Sequence, residues 1–133
     1  MSQRIVVVGC NAAGVTAASA ARRMDEKAEI ELIGAEPYPA YSRCGLPFVV
    51  GGEIPSFERL VIYPLSYYRM MRINLRTETR ACEVDEKAKT VWIESRDKRR
   101  ELIHYDKLVL ATGADATTPP VRGREKEGVF QLR

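Results

Sequence analysis

Cys44 lies in the stretch YSRCGLPF, residues 41 to 48, with Arg43 before it and Pro47 three residues after it. If this segment opens a helix, Pro47 suits the first turn and Cys44 occupies the positive end of the helix dipole. The dipole and Arg43 would then both favour thiolate over thiol. A thiolate attacks a disulfide, holds a mixed disulfide or is oxidised to a sulfenate. No second cysteine follows within five residues, the fifth being Val49, so a two-cysteine redox pair inside this segment is excluded. A packed loop cysteine without chemistry is the competing reading, and the segment alone leaves both open.

A second candidate is the turn GCNAAG, in which Gly9 and Gly14 bracket four residues directly after the β-branched run RIVVV. Gly9 permits a sharp turn, Gly14 lets a following helix pack on the strand, and the free amides around Asn11, Ala12 and Ala13 point at an anion. A diphosphate suits that concavity. Asn11 stands where the G-x-G-x-x-G pattern has its middle glycine, a departure that weakens the motif, while small Ala12 and Ala13 keep the approach open. A strand-to-helix turn with no ligand is the competing reading. The pattern also expects a ribose-binding carboxylate ~20 residues beyond the last glycine. Strict alignment places it at Gly34, so Glu36 is a candidate displaced by two positions, against the alternative of a solvated turn glutamate.

The elements that would carry these residues follow from periodicity. Residues 4 to 8 read as a buried parallel strand, VTAASAARRM as a helix, and Ile30, Leu32 and Ile33 as a second strand, forming a βαβ unit of the expected ~30 residues. Residues 37 to 64 are rich in Gly, Pro and aromatics and read as loops and short helices, where function concentrates. Leu65 to Ile73 reads as a helix with Tyr68 and Met71 toward the sheet. NLRTETRACEVD, KTVWIES and RELIHYD alternate apolar and polar residues as an antiparallel meander, and KLVLATGA reads as a buried apolar strand ending in glycine. The tail from residue 116 has the proline and charge content of a linker, with VFQLR starting a further element.

The chain has 133 residues, 21 basic and 18 acidic, enough for one domain with a core and too balanced to suggest nucleic-acid binding. Its densest basic run, Arg96 to Arg100, falls between two strand-like segments, where a solvated turn is expected. No apolar run approaches the ~20 residues that cross a bilayer, and a soluble, cytoplasmic protein is the expectation. Cys10, Cys44 and Cys82 are too few and too far apart for a disulfide framework or a zinc site. Cys10 and Cys82 read as structural thiols. His104 is the sole histidine, and without a serine elbow it too reads as structural.

The glycine turn, the C-G-L-P segment and the A-T-G-A strand end, in that order, resemble the flavin-dependent pyridine nucleotide-disulfide oxidoreductases. The likeness is strongest to the branch of coenzyme A disulfide reductases, NADH oxidases and persulfide reductases, and runs from about Arg4 to the last residue. The resemblance implies an α/β, Rossmann-like FAD/NAD(P)-binding domain, a parallel sheet plus an antiparallel meander, incomplete at its C-terminal side. Residues 1–115 would be the N-terminal part of the FAD-binding domain and 116–133 a linker toward an absent NAD(P)-binding domain. It further implies that Gly9, Ala12, Ala13 and Gly14 hold the FAD pyrophosphate and that Glu36 or its backbone meets the ribose. Ser42, Arg43 and Cys44 would lie beside the flavin. Arg80 and Ala81 would touch adenine through backbone groups, and Ala111, Thr112 and Gly113 would approach the cofactor.

Cys44 takes the role of redox thiol in that family. Thr16 and Arg23 match positions that contact coenzyme A, whereas Ala20 and Ala40 replace polar residues that some relatives use. The implied activity passes electrons from NAD(P)H through FAD and Cys44 to a disulfide or persulfide such as coenzyme A disulfide, or to oxygen by way of a sulfenate. A non-catalytic nucleotide-binding module is the alternative from another class. No metal, membrane or nucleic acid is implied, and the full-length parent is expected to be a homodimer. Family members are much longer, so the isolated chain is expected to be an inactive N-terminal fragment.

Overall fold

In the computed structural model, which describes residues 2–131, the β-branched run forms β1 (Arg4–Val8) and alternates its side chains between two cores. Val7 joins one core with Ile30 and Leu32, and Val6 and Val8 join the other with Ile33. That period-2 split is what a strand buried on both faces requires. The chain continues through α1 (Ala12–Met24), whose Val15 and Ala18 face the first core, into β2 (Glu29–Ile33).

After the loop region come α2 (Leu46–Val50), α3 (Leu65–Met70) and β3 (Ile73–Arg76). A meander follows, β4 (Thr79–Asp85), β5 (Thr90–Ser95) and β6 (Arg100–His104), then β7 (Lys107–Leu110). The main sheet is parallel in the order β3-β2-β1-β7, and the antiparallel β4-β5-β6 sheet packs on its opposite face from α1 and α3. Among the described residues no helix is long and apolar enough to cross a membrane.

Two expectations need correction. Ile73 and the NLR triplet belong to the parallel sheet as β3, with Ile30 paired to Ile73, instead of ending a helix and opening the meander. Arg72 at φ 49° turns the chain out of the helix, and Ile73 gains a place in the core beside Tyr68. KLVL is also not buried throughout. It is an edge strand, and Leu110 remains 64% exposed because no strand pairs with its outer side among the described residues. Residues 116–131 contain no helix or strand, and Leu132 and Arg133 of the expected tail lie outside the described residues.

Buried charge ties these layers together. Glu31 on β2 accepts from Arg4 at 3.3 Å, Asn74 at 2.9 Å and Arg76 at 3.0 Å, and Arg76 also grips Glu101 of the meander with both terminal nitrogens. On the other face Arg22 donates to the carbonyls of Met71, Asp25, Glu26 and Arg72, fastening the end of α1 to the end of α3. A buried ion stays tolerable only when its bonding capacity is met in this way.

Candidate functional site

The carboxyl ends of β1, β2 and β7 lie side by side, which brings the glycine turn, the Gly34 corner and the ATG segment to one edge of the sheet. From β1 the chain reaches β2 through α1 on one face and reaches β7 only after the meander on the other. Connections thus diverge on either side of β1, and open α/β sheets bind ligands outside the strand ends at such a switch point.

Close backbone approaches explain the glycines. A Cβ on Gly9, whose φ is 109°, would meet the Ala111 carbonyl oxygen at 2.0 Å, and one on Gly14 would meet the Gly9 carbonyl oxygen at 1.6 Å. Gly9 donates to the Ile33 carbonyl at 2.7 Å and Ala111 to the Val8 carbonyl at 2.7 Å, so the predicted pyrophosphate turn and the predicted ATG strand end form one surface. Asn11, at φ −101° and ψ −158°, needs no glycine for its backbone. It caps α1, its side-chain oxygen accepting from the Ala12 amide at 2.9 Å. Its Nδ2 is buried without a partner, while Ala12 and Ala13 are exposed in the first turn of α1. Close backbone packing that only glycine permits, with an orphaned donor beside a helix start, fits a turn that receives a dinucleotide diphosphate.

Gly34, the aligned ribose-acid position, is glycine because a Cβ there would stand 1.9 Å from Cys10 Sγ. The expected candidate two positions on, Glu36, accepts through its carbonyl from Glu78 at 3.1 Å, while Gly34 accepts from Thr79 at 2.9 Å. Arg80 and Ala81 on β4 are thereby drawn toward the same corner, Ala81 at the start of a β-bulge. Thr112 and Gly113 are exposed beyond the end of β7, and Gly113 takes φ 70°. Thr16 and Arg23 lie exposed on α1.

The electrostatic setting expected at Cys44 differs from the one found. Cys44 is exposed in a 3-10 turn, Arg43–Gly45, that precedes α2, and α2 is only 5 residues long, so little dipole builds up behind the thiol. Pro47 does sit in its first turn, as expected. Arg43 is engaged elsewhere: its guanidinium pairs with Glu36 at 2.5 Å and lies over the Tyr41 ring at 5.1 Å. Tyr41 donates its hydroxyl to the other Glu36 oxygen at 2.6 Å. Ser42 is half-buried and donates through its backbone to Leu60 at 2.8 Å, and Ala40 donates to the Cys10 carbonyl at 2.8 Å, tying this segment to the glycine turn. Cys10 is buried, and burial, with Glu36 second, pushes its thiol pKa up, which keeps it protonated and inert.

Sequence reasoning missed Tyr41 as a partner of Glu36. The only available signal was an acid placed five residues before a tyrosine in an irregular stretch, a spacing without regular geometry.

The sequence pattern of the pyridine nucleotide-disulphide oxidoreductases matches residues 3–133. The chain belongs to this family. It is 38% identical to the NADH oxidase of Methanocaldococcus jannaschii over 131 residues, 98% of this chain and 29% of that protein. It is 30% identical over 132 residues to a coenzyme A disulfide reductase of Staphylococcus aureus, covering 98% of this chain and 30% of the relative. Among solved structures, an NAD-dependent persulfide reductase from A. fulgidus superposes with a TM-score of 0.85 at 40% identity, covering 94% of this chain and 24% of that one. The reduced CoADR-RHD of Bacillus anthracis gives 0.86 at 28% identity, covering 91% and 22%. The chain thus spans less than a third of the length of each of these relatives.

Proposed function

We propose that this chain forms the flavin-holding part of an NAD(P)H-dependent oxidoreductase in which Cys44 is the redox thiol and a small disulfide or persulfide, such as coenzyme A disulfide, is the acceptor. The observation that carries the reading is the meeting of the glycine turn with the Ala111 strand end at the sheet's switch point, with the exposed Cys44 segment tied to that turn through Ala40. Gly9, Ala12, Ala13 and Gly14 would hold the FAD diphosphate, and Glu36, Arg80 and Ala81 the adenosine. Ser42, Arg43, Ala111, Thr112 and Gly113 would border the ring. Bound FAD supplies hydride acceptance and electron exchange with a thiol. The exposed Cys44 sulfur is open to a disulfide from solvent, and the exposed Arg23 and Thr16 offer a positive charge and a hydroxyl to an anionic thiol carrier. The NAD(P)H site is assigned to a domain outside these 133 residues. Oxygen as acceptor is a second reading, favoured by the 38% identity to a protein named NADH oxidase.

The test is Cys44→Ser in the full-length gene product, with thiol release from coenzyme A disulfide, peroxide and water formation, and flavin absorbance measured together. The expected result is a loss of roughly a thousandfold or more in disulfide reduction with flavin retained, as for removal of a nucleophile. Undiminished disulfide reduction overturns the role of Cys44. Peroxide or water formed in place of thiol assigns oxygen as acceptor.

A further inference from the structure

Glu36 is an acidic side chain at the junction of the glycine turn and the cysteine segment, and a ribose role leaves its contacts unexplained. Both of its oxygens are already engaged, one by the Tyr41 hydroxyl at 2.6 Å and the other by Arg43 at 2.5 Å. These two donors flank Ser42, and Arg43 immediately precedes Cys44. Tyr41 is itself fixed: its ring packs on Phe57 at 5.1 Å between centroids, Arg43 lies over it, and its backbone bridges Val61. The carboxylate thus pins the turn carrying the thiol to the loop after β2.

We infer that Glu36 is a positioning residue for the Cys44 thiol, holding Arg43 in an ion pair that cancels the charge this arginine otherwise presents to the neighbouring cysteine. The inference rests on the reading of Cys44 as the redox thiol. An ion pair acts at a distance as a dipole, whose field falls off faster than that of a single charge, so removing either partner uncovers the other. Cys10 shows both fields separately: beneath the larger effect of burial, Glu36 pushes its thiol pKa up and Arg43 pulls it down. On the elements packed around the Cys44 turn, the other charged side chains are Glu58 and Arg59 of the Phe57–Leu60 turn, one of each sign and both exposed. Arg43, held by Glu36, is therefore the charged side chain next to the thiol in sequence.

The experiment is the rate of iodoacetamide alkylation at Cys44, read by peptide mass spectrometry from pH 6 to 9, in the full-length gene product. Glu36→Gln leaves Arg43 uncompensated and is expected to speed labelling at pH 7 by about threefold, the size suited to a half-exposed charge. Arg43→Gln is expected to slow it by about the same factor, the double variant returns to the wild-type rate, and ~0.5 M salt erases both changes. Glu36→Asp, which keeps the charge, restores the wild-type profile. A merely structural brace would move both single variants in the same direction, without salt dependence, and that result, or no movement, overturns the inference. If the opposed shifts appear while Cys44→Ser retains disulfide reduction, the charge pair stands and the redox assignment alone fails.

Discussion

The glycine turn and the cysteine segment lie against one another yet are held in different proportions by backbone and side chain. In the turn, backbone meets backbone: the virtual Cβ atoms of Gly9 and Gly14 fall within 2.0 Å and 1.6 Å of carbonyl oxygens, leaving no room for a side chain. In the cysteine segment, side-chain bonds of Tyr41 and Arg43 to Glu36 add to the backbone bonds of Ala40 and Ser42, and a Cβ on Gly52 just beyond it would have nothing within 4 Å. A turn packed backbone against backbone is rigid and intolerant of substitution. A segment held partly by side chains can have its surroundings tuned without dismantling the fold.

Matched glycines break or sharpen that contrast. Gly14→Ala forces backbone apart and is expected to cost at least about 4 kcal/mol by urea unfolding, the range reserved for strain that cannot relax. Gly52→Ala, at φ 80° in open space, is expected to cost only the left-handed penalty of about 1 kcal/mol. Equal costs would erase the distinction. Between these in kind, the buried Cys10 thiol has a raised pKa, so its neutral form is favoured by the fold. Its contribution is fully present below the ordinary thiol value of 9.0 and is lost as pH rises through the higher folded value. Unfolding midpoints should therefore fall above pH 9 in the wild type and flatten in Cys10→Ala; an unchanged slope would place Cys10 outside the buried region. The smallest effect is expected at Tyr68, whose buried hydroxyl has no partner and whose pKa is pushed up to about 12 by burial. Tyr68→Phe should stabilise the chain by about 1 kcal/mol, because an unmet polar group is removed without loss of shape.

Much of the scaffold was legible because each regular element repeats its signal. Val6, Val7 and Val8 announce a strand buried on both faces, and the alternation in residues 79 to 104 announces the meander. The boundary at Ile73 was not legible, since one apolar residue satisfies either the end of a helix or the start of a strand. The choice fell to pairing with Ile30. Leu110 misled for a related reason: apolar composition records what a strand can bury, and its actual burial depends on a neighbouring strand.

At the site, the sequence by itself determined which residues could have special chemistry: two glycines bracketing a strand-to-helix turn, a thiol opening the C-G-L-P segment, and an acid near the end of the second strand. Those identities follow from local sterics and residue type. Only the tertiary structure decided how they are used. It set Gly9 against Ala111, 102 positions away, filled the Gly34 corner with Cys10 Sγ, and turned Arg43 from its neighbour Cys44 toward Glu36. Such pairings depend on distances between segments that meet only after the sheet has formed, and no local spacing encodes them.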